Sequence, residues 1–280
     1  MPAETRELRV YEANRVGLPP LVPYFREMWR RREFAFELSR STLRSQQSVT
    51  FFGQLWLVIN PLLLATVYYF LVFILSGGKA HGSDYFSHLL GGLFAFYFVS
   101  TSMVTGASSV TSVGKLIANQ SFPRLLLPFS SVLVSFRRFL PTMIVYIAAH
   151  LLTHQPITAA QLLAIPAFML MFVFAFGVAA LTATLQVYFR DISSFLPYFQ
   201  RIWLYLSPVL YYPDQVRESL QVVMPFNPLY GLLGCWTDAL VRGEVPPARL
   251  WIFAVSWTFI ALIGGCFVFL RREREFAVRI

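Results

Sequence analysis

Acidic residues are scarce in this chain: there are 14 Asp and Glu among 280 residues, and none lies inside the apolar segments described below. A buried carboxylate relay, of the kind that carries protons through many pumps, therefore has no material to be built from. Lysine is scarcer still. Lys79 is followed by Ala80 and Lys115 by Leu116, so neither completes the GxxxxGK[ST] loop that cradles nucleotide phosphates. The chain is read as a non-enzyme with no cofactor of its own, unable to draw on ATP by itself. The two cysteines, Cys235 and Cys266, fall near opposite sides of the apolar region, which argues against a disulfide between them. Of the four histidines, His150 and His154 are one helical turn apart, but no Cys, Asp or Glu stands beside them, so no metal site is expected. The first 45 residues are charged and lack the apolar run and small residues of a cleavable leader.

Apolar residues are abundant. They make up 56% of the chain against 13% charged, with a mean hydropathy of +0.58, too apolar for a soluble domain. Phe51 to Ser76 carries no charge and directly follows an arginine-rich segment, Arg26 to Arg44. About 20 residues at 1.5 Å each cross a hydrocarbon core, so this stretch is long enough. Apolar stretches near 54–76, 86–111, 129–152, 159–187, 195–213 and 250–270 predict an all-α membrane protein of six spans. Most of the Lys and Arg then fall on the side of the two termini, leaving Lys79, Arg217, Arg242 and Arg249 opposite. By the positive-inside rule both termini are expected in the cytoplasm. The net charge of +9 thus has a topological cause, and nucleic acid is not an expected partner.

Four parts follow in order: a tail over 1–22, an amphipathic interface helix over 23–46, a membrane domain over 47–270 and a C-terminal tail over 271–280. Within 23–46, Phe25, Trp29, Phe36 and Leu43 form one stripe and the other faces carry Arg and Glu. Such a helix lies on the membrane, as an anchor, as a docking platform for a partner, or as both. The stretch of about 214–248 is apolar but interrupted by Pro225 and Pro228, and a further crossing would reverse the C-terminus against the charge rule. It is read as a re-entrant pair of half-helices, with Asn227 capping the second and Pro228 at its first position.

One span is unlike the others. Tyr198, Arg201, Tyr205 and Tyr212 recur at helical spacing, with Phe, Ile, Leu and Trp elsewhere. An intramembrane arginine faces a cavity or a partner rather than lipid. Aromatic faces can pack on sugar rings, so this stripe is a candidate substrate path, with the lipid-facing and helix-packed alternatives open.

Several motifs carry a family resemblance. Leu55-Trp56 and Asn60-Pro61 after the basic helix, Lys115-Leu116-Ile117 through Ser121-Phe122-Pro123-Arg124, Phe189-Arg190-Asp191-Ile192, Ser207-Pro208 and Phe226-Asn227-Pro228-Leu229 resemble, in order and spacing, the permease subunits of ABC-2-type polysaccharide exporters. The resemblance implies the type V exporter fold in the bacterial cytoplasmic membrane. It implies a homodimer carrying two copies of a separate ATPase, which holds ATP and Mg, and export of a lipid-linked polymer of O-antigen, teichoic-acid or galactan type. It places ATPase coupling at Arg30, Arg31, Arg32 and Glu33 and at Lys115, Asn119, Phe122 and Arg124. It adds Asn60, Tyr68 and Tyr69 of the first span to the path. Arg137 and Arg138 are further candidates for lipid headgroups. Export of a drug or lipid, or a channel or scaffold role, are the alternatives.

Overall fold

The computed structural model describes residues 18–47, 55–75, 83–152, 157–211 and 222–280, and their regular structure is entirely helical. Two helices precede the bundle, α1 (Leu21–Arg30) and α2 (Arg32–Gln47). The sequence predicts one helix here; the structure breaks it at Arg31. The break is tertiary in origin, since Arg31 Nη1 donates to Ser121 O at 2.9 Å, while Ala35 and Ser39 of α2 are fully buried. Three of the four stripe residues, Phe25, Trp29 and Phe36, face away from the protein and are exposed, while Leu43 is half-buried. Tyr24, Met28, Phe34 and Leu38 face the bundle instead. Bare aromatics on one side and packed residues on the other are what a helix lying between protein and lipid requires.

The bundle comprises α3 (Trp56–Leu75), α4 (Ser83–Thr111), the short α5 (Gly114–Asn119), α6 (Leu126–Leu152), α7 (Ala164–Tyr188), α8 (Ile192–Leu206), α9 (Pro228–Thr237) and α10 (Ala248–Arg272). Among the described residues, four helices are long and apolar enough to cross a membrane, corresponding to α4, α6, α7 and α10. Helix α3 has 20 residues, with its side chains described in part. Helix α4 is the centre. Leu89, Leu90, Leu93, Phe94, Ala95, Phe96, Phe98 and Val99 are all buried, and a helix apolar on every face must be enclosed. Helices α7 and α10 meet with almost no side chain between them: a Cβ on Gly265 would lie 1.9 Å from Gly177 O. Small residues permit such backbone contact, as in other membrane bundles.

The fifth predicted span, 195–213, is not one helix. Helix α8 stops at Leu206, because the residue before a proline is driven out of the helical region and Ser207 precedes Pro208. Its 15 residues extend about 22 Å, short of the roughly 30 Å core. Ser207–Leu210 continues without helix, and Tyr85 near the start of α4 donates its hydroxyl to Leu210 O at 2.9 Å.

Of the predicted half-helix pair, residues 212–221 lie outside the described residues. The second half is α9, which begins as expected: Asn227 Oδ1 accepts from Leu229 N at 3.0 Å and Pro228 is the first helical residue. Leu229 and the run Gly231–Thr237 are buried among α4, α7 and α10. A wide turn, Asp238–Arg242, ends it at Gly243, whose φ of 64° suits glycine.

The C-terminal segment 271–280 is not a free tail. It folds back through Glu273–Glu275 and a last turn, Phe276–Arg279. Phe276 is fully buried against Phe269 at 5.0 Å, and Arg279 stacks over Tyr188 at 4.3 Å. These turns, α1, α2 and α5 share one end of the bundle, the basic end.

Candidate functional site

The tyrosine and arginine stripe of α8 opens onto a cavity of about 550 Å³ between α3, α4 and α8. Arg201 and Tyr205 line it from α8, Tyr68 from α3, and Tyr97 with Ser100 from α4. The Tyr68 and Tyr205 hydroxyls are 3.5 Å apart and their rings meet edge to face at 6.4 Å. Gln200 donates to Ser100 O at 2.8 Å, pinning α8 to α4. A guanidinium, phenols and an amide thus converge in a cavity whose other walls, Leu64, Phe96, Pro197 and Leu204, are apolar. Such a surface can hold a hydroxylated ring by stacking and by hydrogen bonds.

The structure brings together Arg201, Tyr205 and Tyr68 of the predicted path. Tyr198 shares the exposed face of α8 but stands outside the cavity, and Tyr212 lies outside the described residues. Tyr69 turns elsewhere and packs edge to face on Phe86 at 5.5 Å. Asn60 lines a second cavity of about 510 Å³ between α3, α4 and α6, together with Arg138. Tyr97, hidden in the sequence among the phenylalanines of α4, lines both cavities and was not among the predicted residues. Arg137 of α6 donates to Phe36 O on α2 at 3.4 Å.

At the basic end, the predicted coupling residues divide into internal ties and an exposed surface. Arg124 N donates to Glu273 Oε1 at 2.7 Å, and Arg124 Nη1 donates to Glu273 O. Leu125 N donates to the Tyr24 hydroxyl at 3.2 Å. Glu273 is buried, so α1, the connection before α6 and the end of α10 are fastened at one point. Burial, then the nearby Glu273 charge, pushes the Tyr24 phenol well above its ordinary range. Burial lowers the Arg124 guanidinium, opposed by Glu273 and Tyr24. Phe122 packs on Phe34 at 5.1 Å and Arg31 pairs with Glu27. Arg30, Arg32, Glu33 and Asn119 remain exposed, and Lys115 belongs to α5. Glu273 was missed because Arg271 to Glu275 reads in sequence as a solvated charge run.

His150 stacks on Tyr146 and lies 3.1 Å from the Gln161 amide nitrogen. His154 lies outside the described residues. Among the described residues no three His, Cys, Asp or Glu gather where a metal could sit.

Four apolar helices of membrane-spanning length among the described residues define a multi-pass membrane protein, with a polar cavity beside α4. Residues 34–240 match the family model for the ABC-2 type transporter, and the chain belongs to that family. It is similar to two Klebsiella pneumoniae proteins named O-antigen export system permease protein RfbA. One is 27% identical, covering 86% of this chain and 92% of the relative, and the other is 25% identical over 81% and 87%. A Myxococcus xanthus protein of the same name is 22% identical across 93% of this chain and the whole of the relative.

Proposed function

We propose that this chain is the membrane subunit of an ABC exporter that moves a lipid-linked cell-surface polysaccharide, of O-antigen or galactan type, outward across the bacterial cytoplasmic membrane. The observation that carries the reading is the cavity of Arg201, Tyr68, Tyr97 and Tyr205 set in an apolar bundle. The names of the three relatives support it. In this reading, tyrosine faces pack on sugar rings and hydroxyls exchange hydrogen bonds along the chain, while Arg201 meets an anionic group such as the pyrophosphate of the carrier. The polymer slides because no contact is strong. Tyr198 continues the same face of α8, and the sequence spacing adds Tyr212 to the path.

The chain works in six crossings, with 214–248 as the re-entrant pair and both termini in the cytoplasm. It pairs with a second copy of itself and carries two copies of a separate ATPase, which binds the ATP and Mg. The basic end then faces the cytoplasm, and Arg30, Arg32, Glu33, Lys115 and Asn119 form its ATPase-facing surface. The knot of Tyr24, Arg124 and Glu273 holds that surface to the bundle, so a push on α5 reaches α6 and α10 together.

The test is reconstitution in liposomes with the partner ATPase and a lipid-linked oligosaccharide. The expected result is ATPase stimulation by that substrate, lost in Arg201→Gln while the folded complex is retained. Unchanged stimulation in the variant removes Arg201 from the path. Stimulation by phospholipid or an apolar drug, with none by the glycolipid, overturns the substrate.

A further inference from the structure

We propose that the second cavity, between α3, α4 and α6, binds a phosphate-bearing membrane lipid whose headgroup also carries hydroxyls. This assignment requires only that the bundle sits in a membrane; it does not depend on the polysaccharide reading. Three observations lead to it.

The first is charge. Among the described residues lining this cavity of about 510 Å³, Arg138 contributes the one formal charge, and it is positive. It sits on the membrane helix α6, where a cation faces a cavity or partner rather than acyl chains.

The second is depth. Arg137, the neighbour of Arg138, donates to Phe36 O of α2 at 3.4 Å. Helix α2 carries bare Phe36, and α1 bare Phe25 and Trp29, so these helices mark the membrane surface. Arg138 therefore enters the cavity near headgroup level. Trp56, the first residue of α3, lines the same cavity and is 39% exposed, as an interfacial indole is. Toward the interior the wall becomes Leu64, Phe94 and Phe139, a surface for a hydrocarbon chain.

The third is the sense of the polar groups. Ser135, Arg138 and Thr142 stand three and four residues apart, on one face of α6. The Thr142 hydroxyl already donates to Phe139 O at 2.7 Å, and that of Thr101, across the cavity on α4, to Tyr97 O at 2.6 Å. Ser135 likewise donates to Ser131 O at 3.2 Å. With their protons committed, these hydroxyls offer lone pairs to whatever enters. The Arg138 guanidinium, the Asn60 amide and the Tyr97 phenol are the donors. Donors for a phosphate beside acceptors for hydroxyls fit a glycerol or sugar phosphate headgroup. Choline, which has no N–H or O–H to give, leaves those acceptors unused.

Two lipid sources share this chemistry, and the experiment separates them. The full-length protein is placed in phosphatidylcholine nanodiscs containing a minor fraction of either phosphatidylglycerol or a polyprenyl-phosphate-linked monosaccharide, and retained lipid is counted by native mass spectrometry. The wild type is expected to retain one or both in preference to phosphatidylcholine. Arg138→Met is expected to lose that preference by about tenfold, the worth of one charged hydrogen bond, while Arg138→Lys keeps most of it. Thr101→Leu fills the cavity from the α4 side with the arginine in place and is expected to lose the lipid too, which decides the matter if Arg138→Met fails to fold. Inorganic phosphate alone is expected not to compete. No preference in the wild type, a preference untouched in Arg138→Met or in Thr101→Leu, or full competition by inorganic phosphate each overturns the assignment. Neither ATPase nor polymer enters the assay, so its failure is separate from a failure of the export reading.

Discussion

Asn227 holds two interrupted helices at once, and its removal is calculable. Its Oδ1 accepts from Leu229 N and from Trp203 Nε1, both at 3.0 Å. Its Nδ2 donates to Leu206 O at 2.9 Å and Ser207 Oγ at 3.1 Å. The Leu229 bond caps α9 and the Trp203 bond ties that cap to α8; the second pair closes the end that Pro208 leaves open on α8. Asn227→Ala deletes four hydrogen bonds, the α9 cap among them, at about 1 kcal/mol net for each, so a loss of about 2–4 kcal/mol is expected. Asn227→Asp is the sharper variant. It keeps both acceptors but sets a carboxylate oxygen against the Leu206 carbonyl, so it loses two bonds and adds repulsion, about 2 kcal/mol or more. The measurement is reversible unfolding in mixed detergent micelles, run also with Trp203→Phe. That change deletes one indole bond together with some packing. The packing part is common to both backgrounds, whereas the bond part, about 1 kcal/mol, is expected with Asn227 in place and absent beside Asn227→Ala. If Trp203→Phe costs the same in the wild type and beside Asn227→Ala, the hub does not exist and the reasoning fails.

Gly265→Ala should destabilise by at least about 1–3 kcal/mol in the same unfolding assay, because its Cβ would meet Gly177 O at 1.9 Å, whereas Gly264→Ala, with nothing within 4 Å, should be neutral or slightly stabilising. Equal effects of the two would refute the close approach of α7 and α10. Glu273→Ala should speed amide exchange at Arg124 and Leu125, the two amides tied to Glu273 and Tyr24, with little change in the middle of α4; unaltered exchange there would show that the knot is not what orders that connection. The purified chain without an ATPase should hydrolyse no ATP, as it has no phosphate-cradling loop, and sustained hydrolysis with contaminants excluded would overturn that expectation.

Much of the architecture could be read from residue pattern alone where the cause is local. The run Phe226-Asn227-Pro228 states its own helix start, and the long apolar stretches lie where α4, α6, α7 and α10 form. The early end of α8 was also written in Ser207-Pro208, but hydropathy averages across a proline that the backbone does not ignore. The break at Arg31 was not legible, since Arg30 to Glu33 contains no helix breaker and its cause is the distant Ser121 carbonyl. Of the candidate path, Arg201 and Tyr205 stood out because aromatic and charged residues repeat on one face of α8. Tyr97 did not, because one hydroxyl among the rings of Phe94, Phe96 and Phe98 carries no periodic signal. Glu273 shows the converse: a charge that sequence assigns to water is buried because a backbone amide and a phenol await it.

The two sides of the bundle differ in how they can move. Where α7 meets α10, backbone rests on backbone at Gly177, Ala261 and Gly265, and sliding one helix past the other drives a carbonyl into a Cα. Shear is blocked there, and these helices turn together or not at all. On the far side, α3 and α8 touch through a Tyr68 and Tyr205 pair whose hydroxyls are 3.5 Å apart, longer than an ordinary O–H···O bond. Parting them sacrifices little. Any widening of the tyrosine-lined cavity therefore takes place by α3 parting from α8, which Gln200 ties to α4 and the Asn227 clasp ties to α9.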